Sequence, residues 1–305
     1  CHAEDYLTDK IKKHEKTIQP RVKLFTDYLD TVRFNADPVL ISHEKSEPLN
    51  QLIAEKMKYR PEYEFATTSQ ESHYLWVIDD EKDQKQIQHC FTNMKSLYIA
   101  DGHHRIASSV KLAVSAKKEA KTYTGKEDFN LIMSYFIPED QLYIGEFDRL
   151  VKDLNGLEKN SFLKRLGQYF DIENRGEEYC KPQASHQFSM YLDSEFYLLH
   201  LKKRTLSSNN ALDKVNSHIL YKLILKPILG IEQETNNDRI KHIQGQKNMT
   251  YVKSSVDQGH FAVGFGMMPT SIETIKHIAD QSLCMPPKST FIDPKLRSGV
   301  TIHEF

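Results

Sequence analysis

Cysteine is scarce: Cys1, Cys90, Cys180 and Cys284 are all that 305 residues contain. They stand far apart with no C-x-x-C pair, which excludes a zinc knuckle and a disulfide-dense secreted scaffold. Reduced thiols in a cytoplasmic protein fit this usage. Long hydrophobic runs are lacking too. No stretch approaches the ~18 apolar residues of a membrane helix, and no signal peptide opens the chain. Charge of one sign is also missing, since 41 Lys+Arg offset 42 Asp+Glu. Proteins that grip nucleic acid or anionic lipid display an excess or block of basic residues, so neither partner is expected. Tryptophan occurs once, yet aromatics reach 10% and supply bulk for a core.

What is present is an alternation of helical and strand-like segments, the mark of an α/β or α+β protein with a mixed sheet and flanking helices. At ~150 residues per domain the length suggests two domains. A soft boundary falls near residue 150, giving segments 1–150 and 151–305. Arg21–Arg33 places Val22, Leu24, Phe25, Tyr28, Leu29 and Val32 at helical spacing. Leu49–Tyr59, Lys82–Lys95, Asn160–Tyr169 and Ser271–Asp280 read as further helices. Ala211–Leu225 reads as one long amphipathic helix stopped by Pro227. Strands are expected at Pro38–Ser42, Leu97–Ala100, Asn130–Ile137 and Phe261–Met267. Two hairpins are expected, one at Tyr63–Thr67 with His73–Ile78, the other at Phe188–Leu192 with Phe196–Leu201.

The stretch that carries chemistry is Tyr98–Arg105, YIADGHHR. A short apolar strand runs into Asp-Gly and a helix starts at once. Gly102 permits a tight turn and close backbone approach. Asp101 can cap the helix by accepting its free amides. That helix end offers unpaired N–H donors and partial positive charge, an anion site. Arg105 can fork onto phosphate oxygens, and His103 and His104 add donors or a proton-transfer group near neutral pH. The plainer reading is ordinary turn-and-cap chemistry, but four functional side chains in five residues favour a site. Adjacent helical histidines point about 100° apart, so they rarely share a metal, and no metal ligand is assigned.

Two other stretches qualify. In Ile11–Thr17, IKKHEKT, Glu15 can act as a general base or hold Mg²⁺, and His14 and Lys12 can meet phosphate. On spacing alone it is a solvated charge run. In Met285–Thr290, MPPKST, two prolines stiffen the backbone, so that Lys288, Ser289 and Thr290 can meet an anion, with Lys295 and Arg297 nearby. The alternative is a surface loop. Glu44, Asp79 and Asp80 lie at strand ends, and nothing singles them out.

Several stretches together resemble the domain-of-unknown-function 1015 family: AEDYLTDKIKKHEKT, YIADGHHR, RLVKDLNG, LILKPILGI and FGMMPTSIETIKHIADQSLCMPPKSTFIDPKLRSG. The resemblance spans the whole chain. It implies a further N-terminal segment of roughly a hundred residues, so Cys1 reads as a start part-way into a longer protein. A mature lipoprotein would also begin with Cys. The DGHHR element is also similar to the nucleotide-binding turn of the ParB/sulfiredoxin superfamily, in particular to its free serine kinase. That likeness covers about a third of the chain and implies a ParB/sulfiredoxin-like nucleotide-binding core in 1–150. A second α+β region would then send its loop at 285–297 back to the site. By the same likeness an early glutamate serves as base, here Glu15, and a late threonine-containing loop lines the site. Sulfiredoxins carry a cysteine where His103 or His104 stands, which argues against redox chemistry.

The expectation is a nucleotide-dependent phosphotransferase acting on a small hydroxylated metabolite, free serine first, using ATP or ADP with Mg²⁺. Glu15, Asp101, His103 and His104 are the catalytic candidates. Gly102, His103, His104, Arg105, Lys288, Ser289 and Thr290 are the phosphate-binding ones. A homodimer is the oligomer considered. The alternatives are a nucleotide-binding regulatory or partner-binding protein without transfer activity and a metal-dependent hydrolase working through His103, His104 and Asp101.

Overall fold

The computed structural model describes residues 1–305 except 69, 146, 207–209 and 245–248. The turn of the first hairpin contains Ser69 and so lies partly outside the described residues. Two sheets organise the chain. The first has four strands, Ile11–Lys12 (β1), Val39–His43 (β2), Leu97–Asp101 (β3) and Ser134–Pro138 (β4), in the order β1-β3-β2-β4. β1 lies parallel to β3, β3 antiparallel to β2, and β2 parallel to β4. The second has six strands, Phe147–Val151 (β5), Phe170–Gly176 (β6), Gln187–Leu192 (β7), Glu195–Leu201 (β8), Ile240–Gln244 (β9) and Val263–Met267 (β10), in the order β6-β8-β7-β10-β5-β9. All its pairings are antiparallel. The expected mixed α/β class is therefore observed. The first sheet ends at Pro138 and the second begins at Phe147, and a short ribbon between them pairs Tyr143–Gly145 with Phe291–Asp293.

The first sheet is covered by helix His103–Glu119 (α2), and helix Gln19–Val32 (α1) packs against α2. Successive residues of β2 face opposite ways, as strand geometry requires. Val39 and Ile41 join Leu97, Ile99, Ile106 and Val110 in one core cluster. Leu40 joins Ala100, Ile137 and Ile292 in another. All five residues of β2 are buried, and this central position explains its unbroken apolar start. The Ser108 and Thr26 hydroxyls both donate to the carbonyl of Val22, and Thr26 thereby satisfies its polar group within α1.

The second sheet packs one face on Phe162 and Leu166 of helix Lys159–Leu166 (α3) and on the segment from Ile219 to Ile231. Its other face meets helix Met249–Asp257 (α4) through Leu150, Tyr191, Phe196, Met249 and Val252. Gly264 makes this contact. A Cβ there would sit 2.1 Å from the Val252 side chain, so only glycine admits α4 at that distance. Helix Ile272–Asp280 (α5) is capped by the Ser271 hydroxyl, as its sequence suggests.

Three local expectations are corrected. Ala211–Leu225 is not one helix. It is a 3₁₀ turn at Ala211–Lys214, an α-helix at Asn216–Leu220 and a π-turn at Tyr221–Leu225. Extended backbone at Val215 breaks it, and the Asn216 amide donates outside the helix to the Met268 carbonyl. The apolar run at Asn130–Ile137 becomes strand only from Ser134. Its first residues pair instead with the start of the chain, where the Ile132 N–H donates to the Cys1 carbonyl and His2 bridges Leu131. Within the charge run IKKHEKT, Ile11–Lys12 forms the edge strand β1, with Ile11 and His14 buried. No helix among the described residues is long and apolar enough to cross a membrane.

Candidate functional site

Parallel pairing of β1 with β3 sets the site. Ile11 faces Leu97 and Lys12 faces Tyr98. The residues after Lys12 therefore run beside the carboxyl end of β3, where α2 begins. The crevice outside strand carboxyl ends is where α/β sheets bind ligands. Gly102 turns the chain with φ 99°, left-handed backbone that favours glycine. No side chain caps α2, so its first-turn amides have no side-chain acceptor. The expected Asp101 cap is thus a correction. The Asp101 carboxylate instead accepts from Arg105 Nη2 at 2.6 Å and Lys295 Nζ at 3.0 Å. Charge attraction from two cations outcompetes neutral amides for those oxygens.

Arg105 is held on several sides. Beside Asp101, its Nη1 lies 3.4 Å from Asp37 and donates to the Pro38 carbonyl. His104 Nε2 accepts the Ile18 N–H at 3.0 Å. His103 is buried, its Nδ1 3.7 Å from Glu15 Oε2 and its Nε2 accepting the His14 N–H at 3.4 Å. The His14 ring stands edge-on to that of His103, with centroids 4.5 Å apart.

The late loop closes on the same point. Met285 bridges Glu15, and its N–H donates to the His14 carbonyl at 2.8 Å. Lys288 is exposed, with left-handed backbone (φ 57°), and its carbonyl accepts from Arg149 Nη2 at 3.0 Å. The Ser289 hydroxyl is buried, donating to the Pro286 carbonyl at 2.6 Å and receiving Ser217 at 2.7 Å. It holds the loop's shape rather than facing outward. Thr290 is half-buried beside it. Glu15, Asp101, Gly102, His103, Lys288 and Lys295 thus converge. Lys12 pairs instead with Asp9 and Asp280, and Asp80 caps a distant helix. The His103, His104 and Asp101 set of the hydrolase alternative does not gather around one point, because His104 and Asp101 are each bonded elsewhere.

Burial dominates the titration of these groups. It pushes the Glu15 carboxyl above the ordinary range, with Asp101 adding to the shift and Lys288 and Lys295 opposing it. Burial lowers His14 to about 4, and lowers His103 well below its ordinary value with help from His14, His104 and Lys13. His104 also falls, through burial and then Arg21. His14 carries a stability consequence. The unfolded chain takes up this proton near pH 6.5 and the folded chain only near pH 4. The unfolded state therefore binds more protons within that window, and stability falls as pH drops through it. The full loss is about 3 kcal/mol for a ring this buried. Urea midpoints across the window should show it, and His14→Gln should flatten the slope. An unchanged slope in that variant would assign the effect elsewhere.

Sequence reasoning missed Arg149, Glu234 and His242. Arg149 is wholly buried in β5 and donates from Nε to Glu234 at 2.7 Å, from Nη1 to the Phe147 carbonyl at 2.7 Å, and to the Lys288 carbonyl already described. His242 Nε2 lies 3.2 Å from the same Glu234 carboxylate. The available signal was a lone arginine inside the otherwise strand-like FDRLV. None of the residues lining two surface cavities of about 420 and 320 Å³ belongs to the site. One cavity is bordered by Arg33 and Phe305, the other by Tyr63 and Val300, and convergent chemistry rather than enclosed volume marks the site.

A strand, a glycine turn and an uncapped helix, with Glu15, Lys288 and Lys295 beside them, make up the candidate site of this α/β protein. The chain belongs to the family described as "Protein of unknown function (DUF1015)", whose model matches residues 1–222. No curated protein matches it in sequence. Among solved structures it is similar to a mutant of free serine kinase in complex with AMP (13% identity, TM-score 0.47, 94% of this chain and 86% of that one). It is also similar to a mutant of that kinase in complex with ADP, with the same values. A third is SbnI with C-terminal truncation from Staphylococcus aureus (12% identity, TM-score 0.49, 97% and 82%).

Proposed function

We propose that this protein is a nucleotide-dependent phosphotransferase acting on a small hydroxylated metabolite, with free serine the first acceptor to try. The observation that carries the reading is the placement of Glu15. Its carboxylate stands beside an uncapped helix N-terminus, with its ordinary acidity suppressed by burial. Phosphoryl transfer needs positioning and charge neutralisation more than covalent help from the protein. The α2 amides after Gly102 supply fixed donors for phosphate oxygens. Lys288 and Lys295 supply positive charge, Lys295 from its ion pair with Asp101. Glu15 takes the acceptor's hydroxyl proton as that oxygen bonds to phosphorus, and the departing phosphate oxygen keeps the electrons of the broken P–O bond. Asp101 holds Arg105 and with it the turn. Both Asp101 oxygens already meet cations, so Mg²⁺ would be held chiefly by the nucleotide's phosphates, whose charge it neutralises.

The test is to incubate the 305-residue chain with ATP or ADP, Mg²⁺ and a panel of hydroxyl-bearing amino acids. Mass spectrometry should detect phosphoserine. No turnover across nucleotides and acceptors would sink the transfer reading. One feature favours a second reading, nucleotide binding without transfer. Both terminal nitrogens of Arg105 already meet Asp101, Asp37 and the Pro38 carbonyl, as in a turn built for shape rather than for a moving phosphate. That reading expects a nucleotide-induced stabilisation of about 2.7 kcal/mol at 100 times Kd and no product.

A further inference from the structure

His14 raises a question the transfer reading does not answer. Its ring is 1% exposed, and neither Nδ1 nor Nε2 has a hydrogen-bond partner. A neutral imidazole always carries one N–H and one lone pair, and burying both unpaired is costly. Its neighbours are similarly underused. His103 Nδ1 and Glu15 Oε2 stand 3.7 Å apart, beyond a good hydrogen bond. One ligand atom each from His14, Glu15 and His103 lies within 4.8 Å of the others.

We infer that His14, Glu15 and His103 form a binding site for a first-row divalent transition-metal ion of the zinc or cobalt class. Two imidazoles and one carboxylate are the donor set such ions take in three-ligand sites with an open position. Magnesium prefers oxygen ligands and keeps its waters, so it is a poor match. Donors at about 2.0–2.2 Å from a shared ion must draw together from their present spacing. Glu15 has the most freedom to close in, because its side chain is the part-exposed member of the three, and the two buried rings can approach by small rotations. Neutral imidazole is the form that binds metal, and both rings are buried. Asp101 adds negative charge nearby, whereas Lys288 and Lys295 oppose a cation. The inference does not rest on the transfer reading, but the two share Glu15, and a bound ion would engage the carboxylate assigned as base.

Titrating the metal-stripped 305-residue chain with Co²⁺, in the absence of nucleotide, tests the inference by absorbance. One equivalent should bind with d–d bands of nitrogen and oxygen ligation, and excess Mg²⁺ should not displace it. His14→Gln and Glu15→Gln should each weaken binding by roughly tenfold or more, with folding checked by circular dichroism. Glu15 is part-exposed, so its variant reports even if the His14 variant fails to fold. His218→Gln, outside the cluster, should bind normally. Absence of saturable binding would overturn the site. So would unchanged affinity in Glu15→Gln, or thiolate charge-transfer bands that place the ion on a cysteine.

Discussion

Glu15→Gln is expected to lower kcat for phosphoryl transfer by about 100- to 10,000-fold, the usual contribution of a positioned proton acceptor. The change keeps shape and polarity and removes only the basic oxygen. The backbone bridge from Glu15 to Met285 stays, so the late loop keeps its place. KM should move far less than kcat, because the carboxylate acts on a proton in transit rather than on bound phosphate. The pH profile of the parent protein offers a second check. The base must be ionised, and its acidity is suppressed by burial and then by Asp101. Activity should therefore fall as pH drops through a value above the ordinary carboxylate range. Full activity in Glu15→Gln would remove Glu15 from the mechanism and leave the fold description intact.

Arg149→Met is expected to cost about 3–5 kcal/mol of stability, the range for breaking a buried ion pair from one side. The substitution leaves the Glu234 carboxylate, only 3% exposed, without its closest cation. It also removes the donors to the Phe147 and Lys288 carbonyls. Because the Lys288 carbonyl anchors the late loop, Arg149→Met should also raise KM for any phosphate-bearing ligand that Lys288 contacts. A paired Arg149→Met, Glu234→Leu variant should recover much of the loss, since replacing both charges by apolar side chains is often near neutral. Urea denaturation of the three proteins measures this. A loss under about 1 kcal/mol for the single variant would show that the buried pair contributes no more than an exposed one.

These two residues mark opposite ends of what was legible. Glu15 is legible in the sequence as a carboxylate in a charge run, and the glycine turn as four functional side chains within five residues. Local chemistry sufficed there: Gly102 needs no distant partner to adopt left-handed backbone. Asp101 shows where local reasoning stops. Capping is the short-range preference of an aspartate before a helix, and it lost to Lys295, 194 residues away. Beside the break in Ala211–Leu225, Asn216 likewise bonds far along the chain, to the Met268 carbonyl.

The sequence by itself determined the class of fold, most of the elements and the turn that aims α2. Periodicity, glycine placement and capping residues act over a few positions, and those positions are adjacent in the chain. Only the tertiary structure decided which charges meet. It put His14 and Glu15 against His103 across 89 and 88 residues, and Arg149 beneath Lys288 across 139. Such contacts are set by strand order, by β1 lying beside β3 and the late loop returning over both. An ion pair leaves no periodic trace in either of the segments that supply it.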